Sequence, residues 1–305
     1  MLPKITIVGA GQVGATTAHL MLLKGLGHLV LIDVVEGLAQ GKALDLTQAA
    51  AIEGLPVQVT GTTDYAAMAG SRLVVVTAGL ARKPGMSRED LLAANAAIIE
   101  PIAQRIAREA PEAVVIVVTN PLDVMTTLVL KQTGFPRARV MGMAGVLDSG
   151  RLKAFLAERL GANPASITAS VLGSHGDLMV PIRSSIAVDG QPLSARLSAH
   201  DIDQLLLRTR DAGAEIVALL KQSSAYYAPA AGVVQMAQAV LRDAHQVLPV
   251  CAWLEGEYGL RDVCIGVPAE LAAGGIARIV ETPLTDEERR LLHRAAQQVS
   301  DGIRQ

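Results

Sequence analysis

Short apolar runs alternate with longer, helix-compatible segments along the first half of the chain. Six of these runs are rich in β-branched residues and cover positions 5–8, 29–32, 57–59, 73–77, 114–119 and 140–142. They are almost wholly apolar rather than alternating, which is typical of strands that helices cover on both faces. The pattern predicts a doubly wound parallel sheet.

The pattern changes near Gly145. From there it predicts a helix over 147–160, a strand-like run over 167–172, a hairpin around Asp189 and Gly190, two long helices and a last helix from Asp286. We therefore expect an α/β chain in which the parallel-sheet domain, residues 1–143, is followed by an α+β domain, residues 144–305.

Composition narrows the class of protein. The 305 residues carry a net charge of −2 without a basic block, so we expect no nucleic-acid partner. No apolar run approaches the roughly 20 residues of a membrane span, and we expect no membrane contact. Cys251 and Cys264 form no metal-type pair, and we predict no metal site. The first strand begins too close to Met1 for a signal peptide, which favours a cytoplasmic location.

The first predicted strand leads into Gly9-Ala10-Gly11-Gln12-Val13-Gly14. Glycines at this spacing allow a tight turn, the approach of a pyrophosphate to the backbone, and close packing of helix on strand. Asp33 follows the second predicted strand, where its carboxylate can accept hydrogen bonds from the hydroxyl groups of a ribose. No Arg or Lys lies next to Asp33 in the sequence to bind a 2′-phosphate. The motif favours NAD over NADP. The alternatives are a structural glycine turn and an Asp33 that caps the next helix.

The fifth predicted strand ends in Val118-Thr119-Asn120-Pro121. Asn120 should therefore lie at the carboxyl edge of the sheet, where open α/β folds bind ligands. Asn120 is also a candidate N-cap of the following helix.

One histidine stands apart from the other five. His175 lies in Gly173-Ser-His-Gly-Asp177, between small residues, whereas His19, His28, His200, His245 and His293 have structural or surface contexts. An acid/base histidine needs a partner. Asp148 and Arg151 are three positions apart on a predicted helix and share one face. The alternative is that they are an ordinary helix-start acid and an exposed cation.

These segments together resemble the lactate/malate dehydrogenase family, and within it the malate dehydrogenases that are similar to lactate dehydrogenases. The resemblance covers essentially the whole chain. It rests on the glycine motif, Asp33, and five further segments. They are Arg82-Lys-Pro-Gly-Met-Ser-Arg88, Thr119-Asn-Pro121 with Leu147-Asp-Ser-Gly-Arg151, Gly173-Ser-His-Gly-Asp177, and Ser224-Ala-Tyr-Tyr-Ala-Pro229.

The resemblance implies an NAD-binding Rossmann domain, a catalytic domain and a role for each matching residue. His175 would accept the proton of the substrate hydroxyl, Asp148 would orient it, and Arg88 would polarise the C2 oxygen. Arg151 would hold the C1 carboxylate, and Asn120 and Arg88 would also contact substrate. The cofactor would be bound by Gly9, Ala10, Gly11, Gln12, Val13, Gly14, Asp33, Thr77, Ala78, Gly79, Asn95, Val118, Thr119 and Asn120.

Arg82 decides the expected substrate. In this family its position reads the remaining side chain of the substrate, and lactate dehydrogenases commonly have Gln there. Arg82 implies a second carboxylate, hence (S)-malate and oxaloacetate. Leaving a buried charge without its partner costs about 3–5 kcal/mol, which disfavours pyruvate by roughly 10² to 10³.

Two other functions stay open from the sequence: a lactate or broader 2-hydroxy acid dehydrogenase, and a non-catalytic dinucleotide-binding protein. The family resemblance further implies a homodimer or homotetramer. Gly150 departs from the family, which often has Ala there.

Overall fold

Strands and helices alternate over the first part of the computed structural model, which describes residues 2–81, 86–221 and 223–304. The strands are β1 (Lys4–Val8), β2 (His28–Ile32), β3 (Val59–Thr62), β4 (Leu73–Val76), β5 (Val114–Val117) and β6 (Val140–Gly142). The helices between them are α1 (Gln12–Leu23), α2 (Leu38–Ile52), α3 (Arg88–Glu109) and α4 (Leu122–Thr133).

These strands pair in parallel in the order β3-β2-β1-β4-β5-β6. Ile5 of β1 lies opposite Leu29 on one side and Leu73 on the other, and β4 and β5 are buried throughout. The strand order reverses between β1 and β4, so a crevice opens at their carboxyl ends. The predicted doubly wound sheet is confirmed.

The third strand was predicted in the wrong place. It was expected over 57–59 and lies at Val59–Thr62. Strand β3 is at the edge of the sheet and is only partly buried. Polar Thr60 and Thr62 are therefore tolerated, and an apolar run in the sequence does not mark the position of this strand. Gly61 allows the close approach of α2, because a Cβ there would lie 2.1 Å from the Ala39 carbonyl oxygen.

The second half contains four longer helices, α5 (Gly145–Leu160), α6 (Ala199–Leu220), α7 (Tyr227–Leu241) and α8 (Asp286–Arg304). Its strands are β7 (Ile167–Thr168), β8 (Val171–Gly173), β9 (Met179–Pro181), β10 (Ala187–Val188), β11 (Gln191–Pro192), β12 (Gln246–Glu255), β13 (Arg261–Ala272) and β14 (Gly275–Ile279).

The run over 167–172 is two strands rather than the one that was expected. Strand β7 pairs with β10 in a three-stranded sheet, whereas β8 pairs with β9 and β13. The two ends of the run therefore find different partners. The predicted hairpin is confirmed, since β10 and β11 are joined by Asp189 and Gly190, both with the positive φ that a two-residue hairpin turn needs.

Contacts divide the chain into two compact units. The first contains Met1–Met143, Tyr226–Gln246 and Glu270–Arg278, and the second contains Ala144–Ala225, Val247–Ala269 and Ile279–Gln305. In the first unit, α7 packs on α1. In the second, Leu152 and Leu156 of α5 pack with Ile167, Val188 and Ile202 in one apolar core. The single domain boundary between residues 143 and 144 stays a prediction.

Two absences among the described residues bear on function. None of their helices combines the length and apolar character of a membrane span. In the same part of the chain, no cluster of three His, Cys, Asp or Glu side chains is placed to hold a metal ion.

Candidate functional site: a dinucleotide crevice and a histidine–aspartate pair

The glycine-rich turn between β1 and α1 is shaped by three distinct constraints. Gly9 has φ +104°, and a Cβ on it would lie 2.6 Å from the Ala78 nitrogen. A Cβ on Gly14 would lie 1.9 Å from the Gly9 carbonyl oxygen, so only glycine lets the helix start so close to the strand. Gly11 has no heavy atom within 4 Å of its would-be Cβ, which leaves open space over the turn.

The N-terminus of α1 can accept an anion. Gly11 is its N-cap and provides no capping side chain, and the first turn carries no acidic residue. Its first N–H groups and the positive end of the helix dipole suit a phosphate. Together with the space over Gly11, this end of the helix fits the pyrophosphate of a dinucleotide.

Asp33 lies immediately after β2 and is held in place by two backbone groups. Its Oδ2 accepts from the Ala10 N–H at 2.7 Å and its Oδ1 from the Val35 N–H at 3.0 Å. Because each carboxylate oxygen has a further lone pair, these bonds leave acceptor capacity for ribose hydroxyl groups. The structure thus joins Asp33 to the glycine turn.

The end of β4 is hydrogen-bonded to the same turn, and the end of β5 is hydrogen-bonded to the end of β4. The Thr77 hydroxyl donates to the Gly9 carbonyl at 2.9 Å, and the Thr119 hydroxyl donates to the Ala78 carbonyl at 2.5 Å. The Val118 N–H donates to the β4 residue Val76 at 2.9 Å. The predicted cofactor residues of these two strands therefore lie along one crevice.

Asn95 of α3 is completely buried behind this edge. Its side-chain nitrogen donates to the Asn120 carbonyl at 2.6 Å, and its side-chain oxygen accepts from the Leu80 N–H at 2.7 Å. Asn95 thereby fixes the backbone at Asn120, next to a cis Asn120–Pro121 bond. Pro121 is the N-cap of α4, without a side-chain cap bond, so the capping alternative for Asn120 is not observed.

The second unit brings together the three predicted residues of the acid/base group. His175 Nδ1 lies 2.8 Å from Asp148 Oδ2, and Asp148 Oδ1 lies 3.2 Å from Arg151 Nη1. The Asp148 side chain is 2% exposed, that of Arg151 13% and that of His175 16%. A buried carboxylate thus connects a partly accessible imidazole to a partly accessible guanidinium.

The contact between the α5 start and β8 creates this geometry. A Cβ on Gly145 would lie 2.4 Å from the Val171 carbonyl oxygen, so glycine lets the helix end reach the strand. Ser149 Oγ accepts from the buried Val171 N–H at 2.9 Å. The turn after β8, with positive φ at Gly173 and Gly176, then returns His175 to Asp148.

The Arg151 guanidinium has unused capacity. Its Nε is buried and has no hydrogen-bond partner among the described residues. A buried N–H without a partner is costly, and a planar carboxylate is the ligand that a guanidinium edge binds best. Arg151 is therefore suited to a carboxylate ligand.

The segment from Arg82 to Arg88 is described from Met86 onward. Helix α3 begins at Arg88, after the N-cap Ser87, whose hydroxyl accepts from the Asp90 N–H while Asp90 accepts from the Ser87 N–H. The Ser87 hydrogen bonds lower the pKa of the Asp90 carboxyl. Arg82 and the Arg88 side chain lie outside what the structure describes, and their roles stay predictions.

Two residues near the crevice were missed from the sequence. Lys42 Nζ lies 2.6 Å from the Ala10 carbonyl oxygen. Burial, followed by the charge of Asp33, raises the pKa of the Tyr65 hydroxyl. Neither residue belongs to a recognisable spacing, and no sequence signal could have identified them.

Comparison with known proteins is consistent with both halves of this description. Residues 3–142 match the model for the lactate/malate dehydrogenase NAD binding domain, and residues 145–305 match that for the lactate/malate dehydrogenase alpha/beta C-terminal domain. Malate dehydrogenase from Nostoc punctiforme is 52% identical over 302 residues, 99% of this chain and 92% of the relative. That from Roseiflexus sp. (strain RS-1) is 50% identical over 303 residues, 99% and 98% of the two chains.

Two solved structures are similar to this chain over nearly its whole length. Malate dehydrogenase from Aeropyrum pernix is 42% identical with a TM-score of 0.95, over 98% of this chain and 97% of the other. Lactate dehydrogenase from Cryptosporidium parvum, complexed with lactic acid and β-nicotinamide adenine dinucleotide, is 39% identical with a TM-score of 0.97, over 100% and 98%. With both domains matched over nearly their full length, the chain belongs to the lactate/malate dehydrogenase family.

Proposed function

We propose that this protein is an NAD-dependent malate dehydrogenase that interconverts (S)-malate and oxaloacetate. The observation that carries the catalytic part is the His175–Asp148–Arg151 group, a buried carboxylate between an imidazole and a guanidinium with an unpartnered Nε. Relatives of about 50% identity over nearly the whole chain are malate dehydrogenases.

His175 moves the proton. With Nδ1 donating to Asp148, the neutral ring has Nε2 as its acceptor, so Nε2 takes the proton of the C2 hydroxyl during malate oxidation and returns it during reduction. Asp148 keeps the ring in this tautomer and stabilises the imidazolium that forms. Because Asp148 is almost fully buried, water competes little for this hydrogen bond.

Arg151 orients the substrate. Its guanidinium binds the C1 carboxylate that malate and oxaloacetate share, and Asp148 fixes the guanidinium through Nη1. Asn120 contacts the same substrate. Arg88 polarises the C2 oxygen, so the charge that develops on that oxygen meets a fixed cation.

The first unit holds NAD, whose nicotinamide ring supplies the hydride acceptor when it is bound. The α1 N-terminus and the turn from Gly9 to Gly14 bind the pyrophosphate, and Asp33 binds the adenosine ribose. Thr77, Ala78, Gly79, Val118 and Thr119 form the crevice wall. Asn95 acts through the backbone of Asn120, since its own amide is already bonded.

Arg82 determines which substrate is preferred. Its guanidinium pairs with the C4 carboxylate of oxaloacetate, and a substrate with a methyl group there leaves the charge unpaired. A lactate dehydrogenase is the second candidate, because a lactate dehydrogenase is among the close structural matches. The two candidates differ in the keto acid they prefer.

The protein works as a homodimer or homotetramer in the cytoplasm, without nucleic-acid or membrane partners. Large apolar side chains are exposed on two helices and are candidates for a subunit interface: Ile52 of α2 is 85% exposed and Leu219 of α6 is 76% exposed. The net charge of −2 gives no attraction to nucleic acid. Light scattering of the purified protein would determine the number of subunits.

Replacement of His175 tests the catalytic assignment. His175→Asn removes the proton acceptor, so we expect kcat with oxaloacetate and NADH to fall by about 10² to 10⁴. The dissociation constant of NADH, measured by fluorescence titration, should not change. The control His200→Asn alters an exposed histidine of α6 and should keep full activity. Normal turnover in His175→Asn would contradict the assignment.

A further inference from the structure

Lys42 occupies a partly buried position on α2 that the reaction does not use. Its ammonium donates to the Ala10 carbonyl at 2.6 Å and lies 3.4 Å from the Gly11 carbonyl oxygen. Both oxygens belong to the glycine-rich turn between β1 and α1. Lys42 lies 32 positions after Ala10 in the sequence, and holding its long side chain against the turn costs rotamer freedom.

The turn is thus held from two sides. The Ala10 N–H donates to Asp33, and the Ala10 carbonyl accepts from Lys42. Ala10 itself is completely buried, so neither group can exchange its partner for bulk water. An anion at one end of the residue and a cation at the other fix the orientation of both its peptide groups.

The ammonium of Lys42 is not paired directly with a carboxylate. Among the described residues its ammonium contacts the two carbonyl oxygens and forms no ion pair with a carboxylate. The neighbouring end of α1 has no capping side chain and no acidic residue in its first turn. Helix dipole and ammonium therefore both add positive potential at this turn, beside the Asp33 carboxylate on the Ala10 N–H, and this suits a doubly charged pyrophosphate.

We propose that Lys42 is a cofactor-positioning residue: it orients the glycine-rich turn through the Ala10 carbonyl and increases affinity for the dinucleotide pyrophosphate. This rests on the proposed function in that the dinucleotide is NAD. Lys42 acts on cofactor binding and not on hydride or proton transfer. It should therefore change the affinity for NADH and leave the chemical step unaltered.

The test compares Lys42→Met with wild type. Methionine keeps an unbranched apolar stem and removes the charge. We expect the dissociation constants of NADH and of ADP-ribose, which has the pyrophosphate but no nicotinamide, to rise about tenfold, equivalent to roughly 1.4 kcal/mol. Their dependence on salt should weaken. At saturating NADH, kcat and the KM for oxaloacetate should stay within about twofold of wild type, since uniform binding alone is lost.

Two further variants separate charge from folding. Lys24→Met removes an exposed lysine just after α1 and should leave ADP-ribose binding unchanged. Lys42→Arg keeps the charge and should bind within about threefold of wild type. The same loss of affinity in Lys42→Arg as in Lys42→Met would overturn the role of the charge. So would unchanged ADP-ribose binding in a Lys42→Met protein with wild-type Tm.

Titration with ADP-ribose keeps this proposal separate from the proposed function. If wild type binds ADP-ribose but does not reduce oxaloacetate, the assignment as a malate dehydrogenase fails and the titrations still decide the role of Lys42. If turnover is normal and the Lys42 variants bind like wild type, only the Lys42 proposal fails.

Discussion

Ser149 connects helix α5 to strand β8 through one buried hydrogen bond. Its hydroxyl oxygen accepts from the Val171 N–H, and neither group is open to solvent. Asp148 precedes Ser149 and His175 follows Val171 by four residues. The bond therefore fixes the two segments, the start of α5 and the turn after β8, that meet in the His175–Asp148 contact.

Ser149→Ala would leave the Val171 N–H buried without a partner, which costs about 1–3 kcal/mol. We expect a lower Tm and a kcat that falls several-fold, because the histidine and the aspartate lose their register. The control Ser166→Ala removes a hydroxyl that donates to Asn163 in an exposed turn and should change kcat little. Equal kcat values for the two variants would show that Ser149 does not position the pair.

Sequence separation decides which of these residues could be predicted. Asp148 and Arg151 share a helix face because they are three positions apart, and their contact follows from local geometry. Their pairing with His175 came from the resemblance to a known family. Ser149 and Lys42 reach partners 22 and 32 positions away, and only the packed structure determines such contacts.

At the scale of elements, helix α5 contains an exposed glycine that its geometry does not require. Gly150 has no heavy atom within 4 Å of a would-be Cβ and no positive φ. Glycine within a helix costs up to about 1 kcal/mol relative to alanine because the unfolded chain loses more freedom.

Gly150→Ala should therefore raise the free energy of unfolding by about 0.5–1 kcal/mol and the Tm by a few degrees. Gly145→Ala in the same helix is the matched control. Its Cβ would lie 2.4 Å from the Val171 carbonyl oxygen, and we expect a lower Tm. Calorimetry of both variants checks this, and a lower Tm for Gly150→Ala would be the contrary result.

How well the sequence predicts a strand depends on how deeply that strand is buried. Strands β1, β2, β4, β5 and β6 are covered on both faces, and their apolar runs predicted them within one or two residues. Strand β3 is at the edge and partly exposed, so its polar residues concealed it. The run over 167–172 was misread because a local pattern does not reveal that its two ends pair in different sheets.

For the whole molecule, stability should depend on pH through several carboxyl groups. Hydrogen bonds lower the pKa values of Asp90, Asp201, Glu215 and Glu270. Burial would raise the pKa of Glu288, but hydrogen bonds from Thr285 and Ser184 outweigh it and lower the value. A carboxyl group whose pKa is lower in the folded state stabilises the protein above its unfolded pKa, and this contribution is lost as pH falls.

Glu288 is the strongest test, since it is only 6% exposed and joins α8 to the residues after β9. Glu288→Gln presents an amide to N–H donors, so we expect it to be less stable than wild type at pH 7. The difference should shrink as pH falls below the ordinary Glu value of 4.5. Glu287→Gln, one residue earlier and exposed, is the control. Denaturant unfolding from pH 3 to 7 measures this, and a difference independent of pH would refute it.

For the whole molecule at work, we propose that this chain of the lactate/malate dehydrogenase family uses Arg82 to select a dicarboxylate. The most direct measurement is kcat/KM for oxaloacetate and for pyruvate, with NADH at one pH, in wild type and in Arg82→Gln. We expect wild type to prefer oxaloacetate by about a hundredfold or more, and Arg82→Gln to lose or reverse that preference. A wild-type preference for pyruvate, or a ratio that Arg82→Gln leaves unchanged, would contradict it.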